Sequence, residues 1–134
     1  MADPSREHRH VILFVEDDYD TRDAFMALAH SVDLEAVALE NGRTALAALR
    51  GGLRPCLIVL DMAMPDMDGF SFRREQMADP ALRDLSVAIV SGGGWATEAD
   101  ARKLGLAVFL QKPVEPNDLL RAFEDHCGAR RRAQ

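Results

Sequence analysis

The chain has 134 residues, 48% of them apolar, and a formal net charge of −6. That length supports one domain with a proper core, and that composition excludes a disordered chain. The negative balance argues against nucleic acid as a partner, and no apolar run approaches the roughly 20 residues of a membrane span.

The first ten residues, MADPSREHRH, lack the apolar stretch of a signal peptide, so a cytoplasmic protein is expected. Residues 1–9 read as a flexible polar segment, 10–127 as the folded domain, and 128–134, with Arg130, Arg131 and Arg132, as a basic tail at a helix end. Cys56 and Cys127 are far apart in the chain and in no metal-ligand spacing. In a reducing compartment a disulfide is not expected, and Cys56 reads as a small core hydrophobe.

His10 to Val15 is a short continuous apolar run, the mark of a strand buried on both faces, and it ends on Glu16, Asp17 and Asp18. From Tyr19 to about Ser31 the period turns helical, with Phe25, Leu28, Ala29 and Val32 on one face and Asp18 or Asp20 as the N-terminal acid. Leu34–Leu39 is a second strand, and Arg43–Arg50 is a short helix between the Asn41-Gly42 turn and Gly51-Gly52. Cys56–Leu60 is the central strand and delivers Asp61 to its carboxyl end. Pro65 forbids helix at Met64, and Asp68-Gly69 opens a helix over Phe70–Ala78 that Asp79-Pro80 breaks.

Leu85–Val90 is the fourth strand, ending on Ser91 and the Gly92-Gly93-Gly94 loop. Thr97 caps a helix running to Leu104, Gly105 ends it, and Leu106–Leu110 is the fifth strand, closed by Gln111-Lys112-Pro113. The last helix opens near Glu115-Pro116 and buries Leu119, Leu120, Phe123 and Cys127. Five strand–helix repeats predict an α/β fold: a five-stranded parallel sheet, doubly wound, with helices on both faces.

In such a sheet the strand ends share one edge, so Glu16 and Asp17, Asp61, Ser91 and Lys112 converge there. Three carboxylates in one crevice repel, and a hard cation such as Mg²⁺ offsets that repulsion. A carboxylate nucleophile, a metal, a fixed cation and a hydroxyl are the parts of phosphoryl transfer.

Over roughly residues 10–127 the chain resembles the receiver domain of two-component response regulators, a flavodoxin-like (βα)5 fold. The resemblance rests on Val-Glu-Asp-Asp at 15–18, on Leu-Asp-Met-Ala-Met-Pro-Asp-Met-Asp-Gly at 60–69, and on Lys112-Pro113. It implies that Asp61 is phosphorylated, and that the acidic pair Glu16 and Asp17, with Asp17 the direct ligand, forms the Mg²⁺ site together with Asp61 and the Ala63 carbonyl. It further implies that Ser91 bonds the phosphoryl group, that the Lys112–Pro113 peptide is cis, and that Phe109 is the aromatic residue that turns inward when Ser91 moves. Gly92 stands where the family commonly has alanine, the glycine loop is about one residue short, and Phe109 replaces a frequent tyrosine.

The expected function is a stand-alone regulator that takes a phosphoryl group from a histidine kinase or phosphotransfer protein. It is not a turnover enzyme, catalysing only its own phosphorylation and slow dephosphorylation. Output would pass to a downstream protein through the fourth helix, fifth strand and fifth helix; neither nucleic acid nor membrane is an expected partner, and a homodimer stays open. Trp95, the only tryptophan, lies four residues past Ser91 and should report the switch. A phosphatase of the haloacid-dehalogenase type also uses an aspartate after a strand but needs a second one two residues on, where this chain has Ala63. A receiver that signals without phosphorylation would have a degraded acidic pocket, and here the acids are intact.

Overall fold

The computed structural model describes residues 11–92, 97–106 and 108–128. The N-terminal segment with His10, the loop glycines 93 and 94, Trp95 and the arginines of the C-terminal tail lie outside the described residues. The elements alternate along the chain as β1 (Val11–Val15), α1 (Tyr19–His30), β2 (Glu35–Leu39), α2 (Gly42–Arg50), β3 (Leu57–Asp61), α3 (Gly69–Ala78), β4 (Val87–Ser91), α4 (Glu98–Lys103), β5 (Val108–Gln111) and α5 (Pro116–Cys127). All strand pairs are parallel, in the spatial order β2-β1-β3-β4-β5. The winding therefore reverses once, and the crevice of such a sheet falls between β1 and β3.

Residue alternation along the strands sorts the core into two layers. Ile12, Phe14, Leu57, Val59, Ala88 and Val90 face α1 and α5, where Phe25 and Phe123 both pack on Phe14. Leu13, Val15, Ile58, Leu60, Val87 and Ile89 face the other way, against Leu46 and Leu49 of α2 and Phe72 of α3. Each such side chain, fully buried, contributes about 1.5–3 kcal/mol. The central strands are apolar up to their last residues because neither of their faces meets water.

β3 opens at Leu57, one residue after Cys56, and three further strands begin later than their apolar runs suggest, because the preceding helix claims the first residues. The Leu34 N–H donates to Ala29 O, with Asp33 at φ 61° reversing the chain, so β2 starts at Glu35 rather than Leu34. The Leu106 N–H donates to Ala101 O around Gly105 at φ 68°, so β5 starts at Val108. Leu85 is likewise held in a turn, since its carbonyl and that of Leu82 accept from Gln76 Nε2 at 3.0 and 2.9 Å. β3, β4 and β5 each end one residue later than expected, so that Asp61 and Ser91 are strand residues.

One expectation is overturned: Cys56 and Cys127 form a disulfide, with Cα atoms 5.2 Å apart. Their 71-residue separation conceals this because α5 runs antiparallel to β3, bringing its last residue beside the start of that strand. Cys127 is buried as predicted, whereas Cys56 is half-exposed and is not simply a core hydrophobe. In the chain-entropy account, closing a loop of that size stabilises the fold by about 4 kcal/mol.

Arg73 is a buried cation in α3 that the sequence pattern does not signal. Its Nε and Nη2 donate to Leu104 O and Gly105 O at 3.0 and 3.2 Å, and Nη1 donates to Gln76 Oε1 at 2.8 Å. This fork braces α3 against the end of α4. Arg73→Ala leaves those buried acceptors unpaired and is expected to cost roughly 2–4 kcal/mol, read as a lower denaturant midpoint. Arg73→Lys should recover little of the loss, because one ammonium cannot span all three acceptors.

Candidate functional site

Glu16 continues β1 by one ladder bond, its N–H donating to Leu39 O at 3.0 Å, and its side chain is only 1% exposed. The helix then starts abruptly. Asp18 takes an extended conformation and accepts hydrogen bonds from Thr21 N (2.9 Å) and Thr21 Oγ1 (2.6 Å), which hold its carboxyl below the usual aspartate value. Asp18 is thus the N-cap, and Asp17, between strand and cap, stays exposed at the rim.

Asp61 closes β3 opposite Val90 and is 4% exposed. Its Oδ1 accepts from the Ala63 N–H at 3.2 Å. The loop after it folds tightly back, the Gly69 N–H donating to Met62 O at 3.0 Å. A Cβ at Gly69 would overlap Met62 Sδ and lie 3.1 Å from Met62 Cα, so glycine is needed for α3 to start this close to Asp61.

Lys112 arrives from the far edge. Its N–H donates to Ser91 O at 2.8 Å, tying the ends of β4 and β5, and the Lys112–Pro113 peptide is cis, in keeping with the resemblance. Its Nζ stands 3.3 Å from Asp61 Oδ2 and 3.2 Å from Glu16 Oε1. A Cβ at Gly92 would come within 3.3 Å of Lys112 Cβ, so the missing methyl at this position leaves room for the lysine stem. Ser91 is buried at the end of β4 in register with Gln111, and Phe109, two residues earlier on β5, is half-buried on the same sheet face.

Glu16, Asp17 and Asp61 each offer a carboxylate oxygen, all within 4.8 Å of one another. Burial, reinforced by a shared hydrogen bond with Asp61 and by its charge, pushes Glu16 up to about 7, against the opposing pull of the Asp18 N–H and Lys112. For Lys112, burial pulls downward, but the charges of Asp61 and Glu16 outweigh it and leave the ammonium above its ordinary value. The Glu16 Oε1 atom is buried and, despite the nearby ammonium, has no hydrogen bond of good geometry. A buried, under-coordinated carboxylate oxygen beside two more carboxylates, one open to solvent, is a donor set that fits a small hard cation.

Of the strand-end residues expected from the sequence, Glu16, Asp17 and Asp61 come together with Lys112 across them, while Ser91 joins through its carbonyl, which accepts the Lys112 N–H. Arg22 was missed. Its Nη1 donates to Glu16 O (2.9 Å) and Asp17 O (3.2 Å), pinning the backbone that carries both acids, while the Tyr19 ring lies 5.7 Å from the guanidinium. An arginine one turn into a helix has no pattern that separates it from an ordinary surface cation.

The result is an open parallel α/β domain with its acids gathered at the switch point of the sheet and a lysine across them. Residues 12–124 match the family model of the response regulator receiver domain, and the chain belongs to that family. As a receiver it accepts a phosphoryl group in two-component signal transduction. It is 34% identical over 121 residues to an uncharacterized 14.6 kDa protein in the sodA1 3'region of Leptolyngbya boryana, covering 88% of this chain and 90% of that one. It is 32% identical to protein-glutamate methylesterase/protein-glutamine glutaminase 2 of Cereibacter sphaeroides, where the match takes 84% of this chain but 31% of that protein. Among solved structures, a response regulator receiver protein from Pseudomonas putida superposes with a TM-score of 0.78 at 28% identity, covering 87% of this chain and 97% of that one.

Proposed function

We propose that Asp61 is the phosphoryl acceptor and that Glu16, Asp17, Asp61 and the Ala63 carbonyl hold Mg²⁺ beside it. The observation that carries this reading is the single ammonium, Lys112 Nζ, shared at 3.2–3.3 Å between Asp61 and Glu16. Bound Mg²⁺ would neutralise charge on the acids and on the incoming phosphoryl oxygens. Asp61 supplies the nucleophilic oxygen, and the Ala63 N–H holds its other oxygen in place. Lys112 balances the added negative charge, and the Ser91 hydroxyl bonds the phosphoryl group. Drawing Ser91 toward Asp61 vacates space on the face it shares with Phe109, which turns in to fill it.

The donor would be a histidine kinase or a histidine phosphotransfer protein. A groove of about 600 Å³ beside the site supports that reading, since it is lined by Thr21, Ala24 and Phe25 of α1 and by Lys112, Pro113 and Val114. Output to a downstream protein would use the α4–β5–α5 face, and self-association would use the same surface. The only chemistry in this reading is phosphorylation of the protein's own Asp61 and its slow reversal. A cytoplasmic location is part of this reading, and no described helix is long and apolar enough to cross a membrane.

Incubation with acetyl phosphate and Mg²⁺, followed by intact mass, tests the acceptor reading: the protein should gain one phosphoryl group. An unchanged mass under conditions that label another receiver would refute it. Mg²⁺ should also raise the melting temperature by binding the folded state alone, and Asp17→Ala should remove that rise. Equal stabilisation of both proteins would exclude Asp17 as a ligand.

A further inference from the structure

We propose that Cys56 and Cys127 form a reversible redox site, whose oxidation state sets how firmly the last turn of α5 is held to β3. The pair lies at the opposite end of β3 from Asp61, roughly 16 Å away at about 3.3 Å per strand residue. The inference therefore stands independently of the phosphoryl chemistry; only its bearing on output, through α5, rests on the function proposed above.

The anchoring of α5 is uneven. Leu119, Ala122 and Phe123 bury its first turns, and Phe123 packs on Phe14. After Phe123 come Glu124, Asp125 and His126, so Cys127 is the one apolar side chain of the final turn. The chain leaves the helix immediately afterwards at Gly128, with φ 65°. The bond to Cys56 ties that turn to the start of β3.

Both oxidation states have a place in the fold. As a disulfide, the pair sits with its Cα atoms 5.2 Å apart, inside the usual range for such bonds. As a thiol, Cys56 Sγ has an acceptor at 3.4 Å, the carbonyl of Val11, which also receives the Cys56 N–H at 2.9 Å. Reduced Cys127 would remain among apolar neighbours, where a free cysteine behaves as a small hydrophobe. The two-layer core is large enough for the domain to fold without a staple, unlike the small secreted domains that depend on one.

Access is one-sided. Cys127 is 2% exposed, whereas Cys56 is half-buried, so Cys56 is the half of the bond open to attack by an incoming thiolate in this proposal. With glutathione as reductant, its thiolate attacks Cys56, a mixed disulfide forms there, and Cys127 leaves as a thiolate that takes a proton. A second glutathione thiolate attacks the glutathione sulfur of the mixed disulfide and releases Cys56, giving the dithiol and one oxidised glutathione. Oxidised glutathione runs the same steps in reverse.

The test uses the wild-type chain. In oxidised glutathione it should take up no N-ethylmaleimide on denaturation; in excess reduced glutathione it should take up two, with graded fractions at intermediate ratios. Hydrogen exchange of the amides from Glu124 to Gly128 should be roughly tenfold faster in the dithiol form, on the scale of local opening, while the sheet core stays protected. Cys56→Ser and Cys127→Ser, made separately so that a fold defect in one does not decide the matter, should show the fast exchange in both buffers. A pair that never oxidises, or that stays oxidised at every glutathione ratio, overturns the proposal. So does equal exchange of the α5 terminus in the two forms.

Discussion

Asp61→Asn should abolish the phosphoryl mass gain while leaving the fold intact. The amide is nearly isosteric, so the side-chain oxygen can still accept from the Ala63 N–H as Asp61 Oδ1 does at 3.2 Å. What disappears is the nucleophile: an amide oxygen carries no full charge and forms no acyl phosphate under these conditions. Lys112 keeps Glu16 as a counter-ion at 3.2 Å, so the variant does not strand an unpaired ammonium. The expected reading is a mass unchanged by acetyl phosphate and Mg²⁺, with a circular dichroism spectrum matching wild type. Labelling of the variant at the wild-type level would move the acceptor elsewhere. Loss of labelling together with loss of folding would be uninformative on its own, and Asp61→Glu then decides, since it restores the charge one methylene out of place and should also fail to label efficiently.

Much of this site is legible in the sequence, and the reason is physical. A strand buried on both faces must be apolar, so an acid or a lysine at its end stands out against the run. Glu16, Asp61, Ser91 and Lys112 were all found in that way, and the parallel topology then placed them at one edge. The starts of β2, β4 and β5 were less legible, because the same apolar residues that suit a strand also finish the preceding helix. Leu34 and Leu106 donate backward to Ala29 and Ala101, a choice made by hydrogen bonding rather than by hydrophobicity. Arg22 and Arg73 escaped because their role is to reach carbonyl groups, and carbonyls have no residue identity to read. The Cys56–Cys127 bond is not legible in the sequence because the two residues lie 71 apart and the return of α5 to the start of β3 is a property of the packed fold.

The stability of the metal-free protein should fall through Glu16 as pH rises from 4.5 to about 7, and with Glu16 in the proposed metal site Mg²⁺ should oppose that trend. Its folded value of about 7, against an ordinary 4.5, means that between these two limits the native state holds a proton that the unfolded chain has lost. The stabilisation from this group is complete below the unfolded value and gone once pH exceeds the folded one. The gap corresponds to about 3 kcal/mol, or about 10 °C in melting temperature for a domain of this size. Glu16→Gln stays uncharged throughout. Relative to wild type in chelator, it should melt higher above neutrality, and the difference should vanish as pH falls toward the ordinary glutamate value. If Glu16 ligates Mg²⁺ as proposed, binding requires its ionised carboxylate and expels the proton, so wild-type stabilisation by Mg²⁺ should grow with pH across the same window. In Glu16→Gln that growth should flatten. Melting curves of both proteins with chelator and with Mg²⁺, taken across the window, check the linkage; parallel pH profiles in chelator would show that Glu16 is not the group that titrates.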